Sequence, residues 1–244
     1  MSDPAGTPGS LRDGVLAVLA VVGVVAAAAA LSVSRHDHHH GAHHHSTPDP
    51  TDEQATTDGW HGGLLTEAQP RPDFTLTDTA GRPYAFREKT AGRLTLLFFG
   101  YTSCPDVCPL HMATLSTALD QPDMPRPLVV FVTTDPGRDT PERLREWLDS
   151  FGTDFVGLTG APDEILRAEE AVGLGTSFVV APDGSPSPTA PAAPAGDDDY
   201  EVGHPAEIIA YTPDDLAHIA YPSGVQRDDW VADLPRLADG WDAG

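Results

Sequence analysis

The sequence predicts an α/β fold, a central mixed sheet flanked by helices. Three observations predict it. Residues 94–99 and 128–133 are nearly continuous apolar runs, as strands buried on both faces are. Helix-like segments follow each run. Nearer the C-terminus, residues 207–211 and 216–221 straddle Thr212-Pro213-Asp214-Asp215 and read as a hairpin. Of the 244 residues, those beyond the N-terminal extras number about 175, enough for one well-buried core.

Charge bounds the partners. Acids outnumber bases 37 to 14, giving a net charge of −23, and the excess lies outside the first 35 residues. That sign repels phosphate backbones and excludes nucleic acid as a partner. It suits solubility, a basic protein partner or a metal cation. Lys89 is the only lysine, which fits a general compositional bias toward Asp and Arg.

Residues 1–13 read as a short tail. Residues 14–34 carry no charge, and as a helix they would span about 31 Å, close to the hydrocarbon thickness of a bilayer. That is longer than the apolar core of a secretory signal, so an uncleaved single-pass anchor is expected. No cysteine follows for lipid attachment. Arg12, Asp13 and Arg35 do not fix the orientation by charge. A short tail with the long domain exported, on the extracytoplasmic side of the cell membrane, is the simpler topology. Residues 35–68 read as a linker. Positions 36–45 hold seven of the eleven histidines, a run that can hold copper, zinc or nickel loosely without defining one geometry. The remainder, rich in Pro, Thr and Asp, reads as a tether. The folded domain is expected over 69–244.

Within that domain, residues 72–78 alternate apolar and polar like a short strand, residues 79–82 turn, and 83–86 return. After the first buried strand, Leu115, Ala118 and Leu119 have helical spacing. After the second, residues 135–139 form a loop. Thr140 then caps a helix, with Pro141 at its first position and an amphipathic run to Phe151. Residues 155–158 read as a strand. Pro162 opens a helix whose apolar set is Ile165, Leu166, Ala168 and Val172, and 177–180 read as a strand. The Pro-, Ala-, Ser- and Asp-rich stretch 182–199 is expected to be a flexible surface loop. Past the hairpin, Asp228 or Asp229 caps a last helix around Trp230, Val231 and Leu234, interrupted by Pro235.

Both cysteines lie where the first buried strand ends, in Phe98-Phe99-Gly100-Tyr101-Thr102-Ser103-Cys104-Pro105-Asp106-Val107-Cys108-Pro109. With Cys108 as the helix cap, Pro109 falls at the first helical position, where its missing N–H is harmless. The positive end of the helix then favours thiolate, the form that binds metal or attacks a disulfide. As a structural disulfide the pair would close too short a loop to be a useful staple. Two thiolates want a third ligand. Copper(I) accepts sulfur and low coordination numbers, so a Cys₂His set suits it, whereas zinc normally wants a fourth donor. Four histidines lie outside the linker run. His61 falls in the tether, His111 on the helix after the cysteines as a partly exposed residue, and His218 in the hairpin. His204 precedes a strand, and would face the cysteines if that strand enters the sheet beside them. Met112 is expected to pack in the core.

The series F-F-G-Y-T-S-C-P-D-V-C-P, V-F-V-T-T-D-P-G-R-D-T-P, F-V-G-L-T-G and Y-E-V-G-H, in this order over residues 72–230, resembles the Sco/SenC family. The resemblance implies a thioredoxin-like fold and a membrane-anchored copper protein that helps assemble the binuclear copper centre of cytochrome c oxidase. It implies Cys104, Cys108 and His204 as copper ligands, with a Cys104–Cys108 disulfide when oxidised. It also raises Asp135 and Asp139 as supports near the site. Gly203 and Pro205 depart from the family pattern, which has Asp before the histidine and Ser or Thr after it.

Two functions follow. One is a metallochaperone, not an enzyme, that hands copper to the copper-carrying oxidase subunit or to another copper carrier. The other is a thiol–disulfide oxidoreductase that reduces the cysteines of the oxidase copper site. The C-x₃-C spacing departs from the C-x₂-C of thioredoxin-type redox motifs. A peroxidase fits less well, because the prolines around the cysteines do not match one.

Overall fold

A computed structural model describes residues 59–173, 175–180, 183–187 and 200–241. In chain order these form β1 (Gly63–Pro70), β2 (Thr75–Asp78), β3 (Pro83–Ala85), α1 (Phe86–Thr90), β4 (Thr95–Gly100), α2 (Val107–Leu119), β5 (Leu128–Thr133), α3 (Pro141–Asp149), β6 (Val156–Thr159), α4 (Pro162–Val172), β7 (Phe178–Val179), β8 (Val202–Gly203), β9 (Ile208–Tyr211), β10 (Leu216–Tyr221) and α5 (Arg227–Asp239). Eight strands make one mixed sheet in the order β1-β10-β9-β4-β5-β6-β2-β3, and β7 pairs with β8 separately. β4, β5 and β6 run parallel, and β9 lies antiparallel to β4.

The continuous apolar character of β4 follows from its place in the middle. Leu96 and Phe98 point to one face, where α2, α3 and α5 supply Met112, Leu115, Leu144, Leu148, Trp230 and Leu234. Leu97 and Phe99 point to the other, under Phe86 of α1 and Ile165, Ala168 and Val172 of α4. Alternation with two apolar partners leaves no polar position in the strand.

Residues 60–68, which read as linker by sequence, already pack on the domain and contribute β1 to its sheet. Residues 63–70 look polar because β1 is a mostly exposed edge strand, pairing only with β10, with a register shift between Leu64 and Gln69. Just before it, Trp60 is buried, stacks on Trp241 at 5.0 Å between ring centroids and lies 3.6 Å under the Arg236 guanidinium. His61 is therefore not tether. Its backbone N–H donates to Asp233 Oδ2 at 2.9 Å, and its Nδ1 lies 2.9 Å from Oδ1. Asp233 is itself buried and accepts from the Tyr221 hydroxyl at 3.0 Å.

Arg71 is a second anchor that the sequence does not advertise. It is buried and donates to Asp215 Oδ1, Thr90 Oγ1 and the carbonyls of Arg93 and Thr212, tying the end of β1 to the β9–β10 turn. The α3 cap is as expected, with Thr140 Oγ1 accepting from the Arg143 N–H at 3.2 Å. In α5 the cap is Gln226, and Asp229 folds back to accept its N–H at 2.8 Å. α5 also runs through Pro235 to Asp239, because Leu234 and Leu237 on either side are fully buried and packing outweighs the lost ladder bond. Of the stretch 182–199, the described residues include Pro186, bridged to Val180. The predicted anchor at 14–34, the histidines at 36–45 and most of that loop lie outside the described residues. Among the described residues no helix is long and apolar enough to cross a membrane.

The His61–Asp233 pair makes stability depend on pH. The hydrogen bond that the ring donates to Asp233 holds the His61 pKa above its ordinary value, with the nearby Asp229 adding to it. The extra stabilisation is then fully present below about pH 6.5 and is lost as pH rises through the folded value. Urea titrations of the wild type and His61→Ala should show a larger penalty at pH 6 than at pH 8.5. An equal penalty at both would contradict the ion pair.

Candidate metal centre

β4 ends at Gly100, and the chain turns through residues 101–106 into α2. The cap of α2 is Asp106, not Cys108 as the proline argument suggests. Pro109 is then the third helical residue, still inside the first turn where backbone N–H groups have no intrahelical partner, so its missing donor costs nothing. Cys108 is fully buried at the second helical position and Cys104 is half-buried in the loop before it. The Cys108 N–H points at Cys104 Sγ at 3.4 Å.

That geometry separates the two thiols. A hydrogen bond from the Cys108 thiol, together with His204 and the N–H groups of Cys108 and Asp106, draws the Cys104 pKa down to about 3. Burial and the neighbouring Cys104 thiolate push Cys108 far up. Without metal, then, Cys104 is the thiolate and Cys108 keeps the proton.

The third donor arrives from far along the chain. His204 Nε2 lies 3.5 Å from Cys108 Sγ, and donor atoms of Cys104, Cys108 and His204 all fall within 4.8 Å of one another. No other group of three or more such ligand residues converges this way among the described residues. The His204 ring stands nearly perpendicular to Tyr101, with centroids 5.6 Å apart, and meets Phe98 at 6.1 Å. Its Nδ1 lies 2.8 Å from the Pro205 carbonyl. A carbonyl can only accept, so Nδ1 donates to it, and Nε2 is the ring nitrogen turned toward the sulfurs.

One departure from the family pattern has a physical reason. Gly203 pairs with Phe178 in the β7–β8 ladder, and a Cβ on it would lie 2.4 Å from the Phe178 ring. Pro205 contributes the carbonyl that His204 Nδ1 meets, which any residue there would supply. Val202 N–H reaches the Tyr101 hydroxyl at 3.4 Å, joining the histidine segment to the cysteine loop.

Asp135 and Asp139 are both buried, and neither belongs to the converging donor group. Asp139 accepts from the Thr102 N–H at 2.9 Å, the Thr102 hydroxyl at 2.5 Å and the Thr133 hydroxyl at 2.6 Å, pinning the start of the cysteine loop to the end of β5. Asp135 pairs with Arg138 and accepts from the Tyr200 hydroxyl, while the Arg138 guanidinium lies 3.7 Å over the Tyr200 ring. Tyr200 is four residues ahead of His204, so this clamp holds the histidine segment.

The remaining histidines fall elsewhere. His218 pairs with Asp214 at 2.9 Å and stacks on Trp241, away from the sulfurs. His111 is buried rather than partly exposed, because its helix face turns toward Phe98, at 5.3 Å between centroids. Met112 is buried in the core as expected. Sequence reading missed Gly100, Tyr101 and Tyr200. Only Gly100 carried a usable signal, a glycine closing a buried strand beside the cysteines. A Cβ there would lie 2.7 Å from Cys108 Sγ and 3.1 Å from the Phe131 ring.

Two outcomes follow for the reduced, metal-free protein. Iodoacetamide should modify Cys104 first, with a rate nearly flat down to about pH 5, whereas an ordinary thiol slows about tenfold per pH unit below its pKa. A Cys104 rate that falls through pH 8 would contradict the thiolate. Gly100→Ala should displace Cys108, cost about 1–3 kcal/mol in denaturant titrations and move the Cys104 alkylation midpoint upward. Unchanged stability and midpoint would contradict the close approach.

A protein of Stutzerimonas stutzeri whose name assigns it copper binding is 32% identical over 77% of this chain and 86% of its own length. Other curated relatives match over about a third to just over half of their own length. Among solved structures, apo Sco1 of Thermus thermophilus superposes with a TM-score of 0.58 at 30% identity, covering 73% of this chain and 96% of that one. Copper-bound ScoI of Bradyrhizobium japonicum superposes with a TM-score of 0.53 at 30% identity, covering 70% and 99%. The SCO1/SenC family profile matches residues 64–239, and the chain belongs to that family.

Proposed function

We propose that Cys104, Cys108 and His204 hold one copper ion, and that the protein carries it to the binuclear copper site of cytochrome c oxidase. The observation that carries this reading is the convergence of two sulfurs and one imidazole nitrogen within 4.8 Å. Two thiolates and a neutral imidazole suit copper(I), which accepts three ligands and prefers sulfur. Binding displaces the proton of Cys108, since Cys104 is already ionised. A three-donor site leaves room for an incoming sulfur or nitrogen of the acceptor, which is what a carrier needs. The names of the relatives support copper, and family membership supports a role in oxidase assembly. On this reading residues 14–34 anchor the domain to the cell membrane on its extracytoplasmic side, and the histidines at 36–45 collect metal for it. Asp135 and Asp139 act by holding the two loops, not as ligands.

A second reading is favoured by one observation, the separation of the two thiols. The Cys104 thiolate could attack a disulfide in the acceptor, forming a mixed disulfide and releasing one acceptor thiolate. Cys108, on losing its proton, would then attack Cys104 Sγ and release the second acceptor thiol. The chain is left with a Cys104–Cys108 disulfide and the acceptor with two thiols.

His204→Ala separates the two readings. Its copper(I) affinity should fall by at least about tenfold while its disulfide-reductase rate stays near the wild-type value. Unchanged copper affinity would remove His204 from the site and leave the reductase as the better reading.

A further inference from the structure

His111 lies one turn into α2, three residues after Cys108, and is 4% exposed. Its Nε2 is buried and has no hydrogen-bond partner among the described residues. A buried polar atom left unpaired costs about 1–3 kcal/mol, and such an atom in a native fold calls for a reason, a bound ion or a reaction among them. An aliphatic side chain would pack against Phe98 without that cost. Helix geometry directs the side chain at this position back toward the preceding turn, which carries Cys108. The ring packs on the same Phe98 that His204 touches, and it lies within electrostatic reach of both Cys104 and His204. Burial also keeps it neutral, with its pKa pulled down to about 4, so one ring nitrogen offers a lone pair at neutral pH.

We propose that His111 is a further copper ligand, recruited when the bound ion is copper(II). Copper(I) is satisfied by three soft donors. Copper(II) prefers four donors in a tetragonal arrangement and takes imidazole readily. His111 is not among the three groups that already converge, so it joins the ion rather than preforming the site. The consequence is one centre with two coordination states, Cys₂His for copper(I) and Cys₂His₂ for copper(II). Such a site holds copper(II) more tightly than three donors would. This rests on copper being held by Cys104, Cys108 and His204.

The test uses the full chain with the seven histidines between positions 36 and 45 replaced by asparagine, which removes competing imidazoles. One equivalent of copper(II) is added to the reduced protein, and pulsed electron paramagnetic resonance counts the coordinated imidazoles. Two are expected in this background, and one in His111→Leu. Copper(II) affinity should fall by about tenfold or more in His111→Leu while copper(I) affinity stays within about twofold. The melting temperature of metal-free His111→Leu should match or exceed that of its parent, since an orphaned polar atom is gone. A single imidazole in the parent, or an unchanged count and copper(II) affinity in His111→Leu, would overturn the proposal. His204→Ala in the same background keeps the two ideas apart. If it weakens copper(I) and His111→Leu changes nothing, the three-donor site stands and His111 is only a core residue.

Discussion

Cys108 Sγ occupies the space that a side chain on residue 100 would fill, and most of the site depends on that shared volume. Gly100 closes the central strand, and its missing Cβ lets the sulfur sit against the strand end and the Phe131 ring. With the sulfur fixed there, α2 must start at Val107 and leave over the Phe98 face of the sheet. Cys104 then lies where free N–H groups of the helix point. The strand, the loop and the helix are thus one unit, and the ionisation of the thiols follows from its shape.

The histidine comes from the other end of the domain, and its placement needs separate devices. β9 runs beside β4, so the segment before β9 arrives at the same end of the sheet as the cysteine loop. That brings His204 near, but three further ties set its pose. The Phe178–Gly203 pairing fixes the backbone, the Asp135–Arg138–Tyr200 clamp holds the approach, and the Pro205 carbonyl accepts from the ring Nδ1. The first two each use a residue close to His204 in sequence and a partner distant from it. This is how a histidine almost a hundred residues after Cys108 can be held to the precision that a metal requires.

What the sequence makes legible divides along physical lines. Buried strands show as apolar runs, and the α3 cap at Thr140 with Pro141 after it shows as local chemistry, so both are read well. The cysteine pair stands out because no other cysteine exists in the chain. Edge strand β1 hides because only one side of it pairs, and its exposed residues look like linker. The start of α2 is misread by two residues because proline is tolerated anywhere in the first turn, not only at its first position. His111 is misread because which face of α2 turns inward is decided by Phe98, a residue of another element. His204 could be paired with the cysteines only through family resemblance, since nothing local marks a contact across the sheet.

The central claim is that two sulfurs and one imidazole bind copper together. X-ray absorption on the full chain loaded with one equivalent of copper(I) tests it directly. Two sulfur scatterers and one nitrogen scatterer are predicted, with the nitrogen lost in His204→Ala. A first shell of sulfur alone, or a nitrogen that persists in His204→Ala, would contradict the three-donor site.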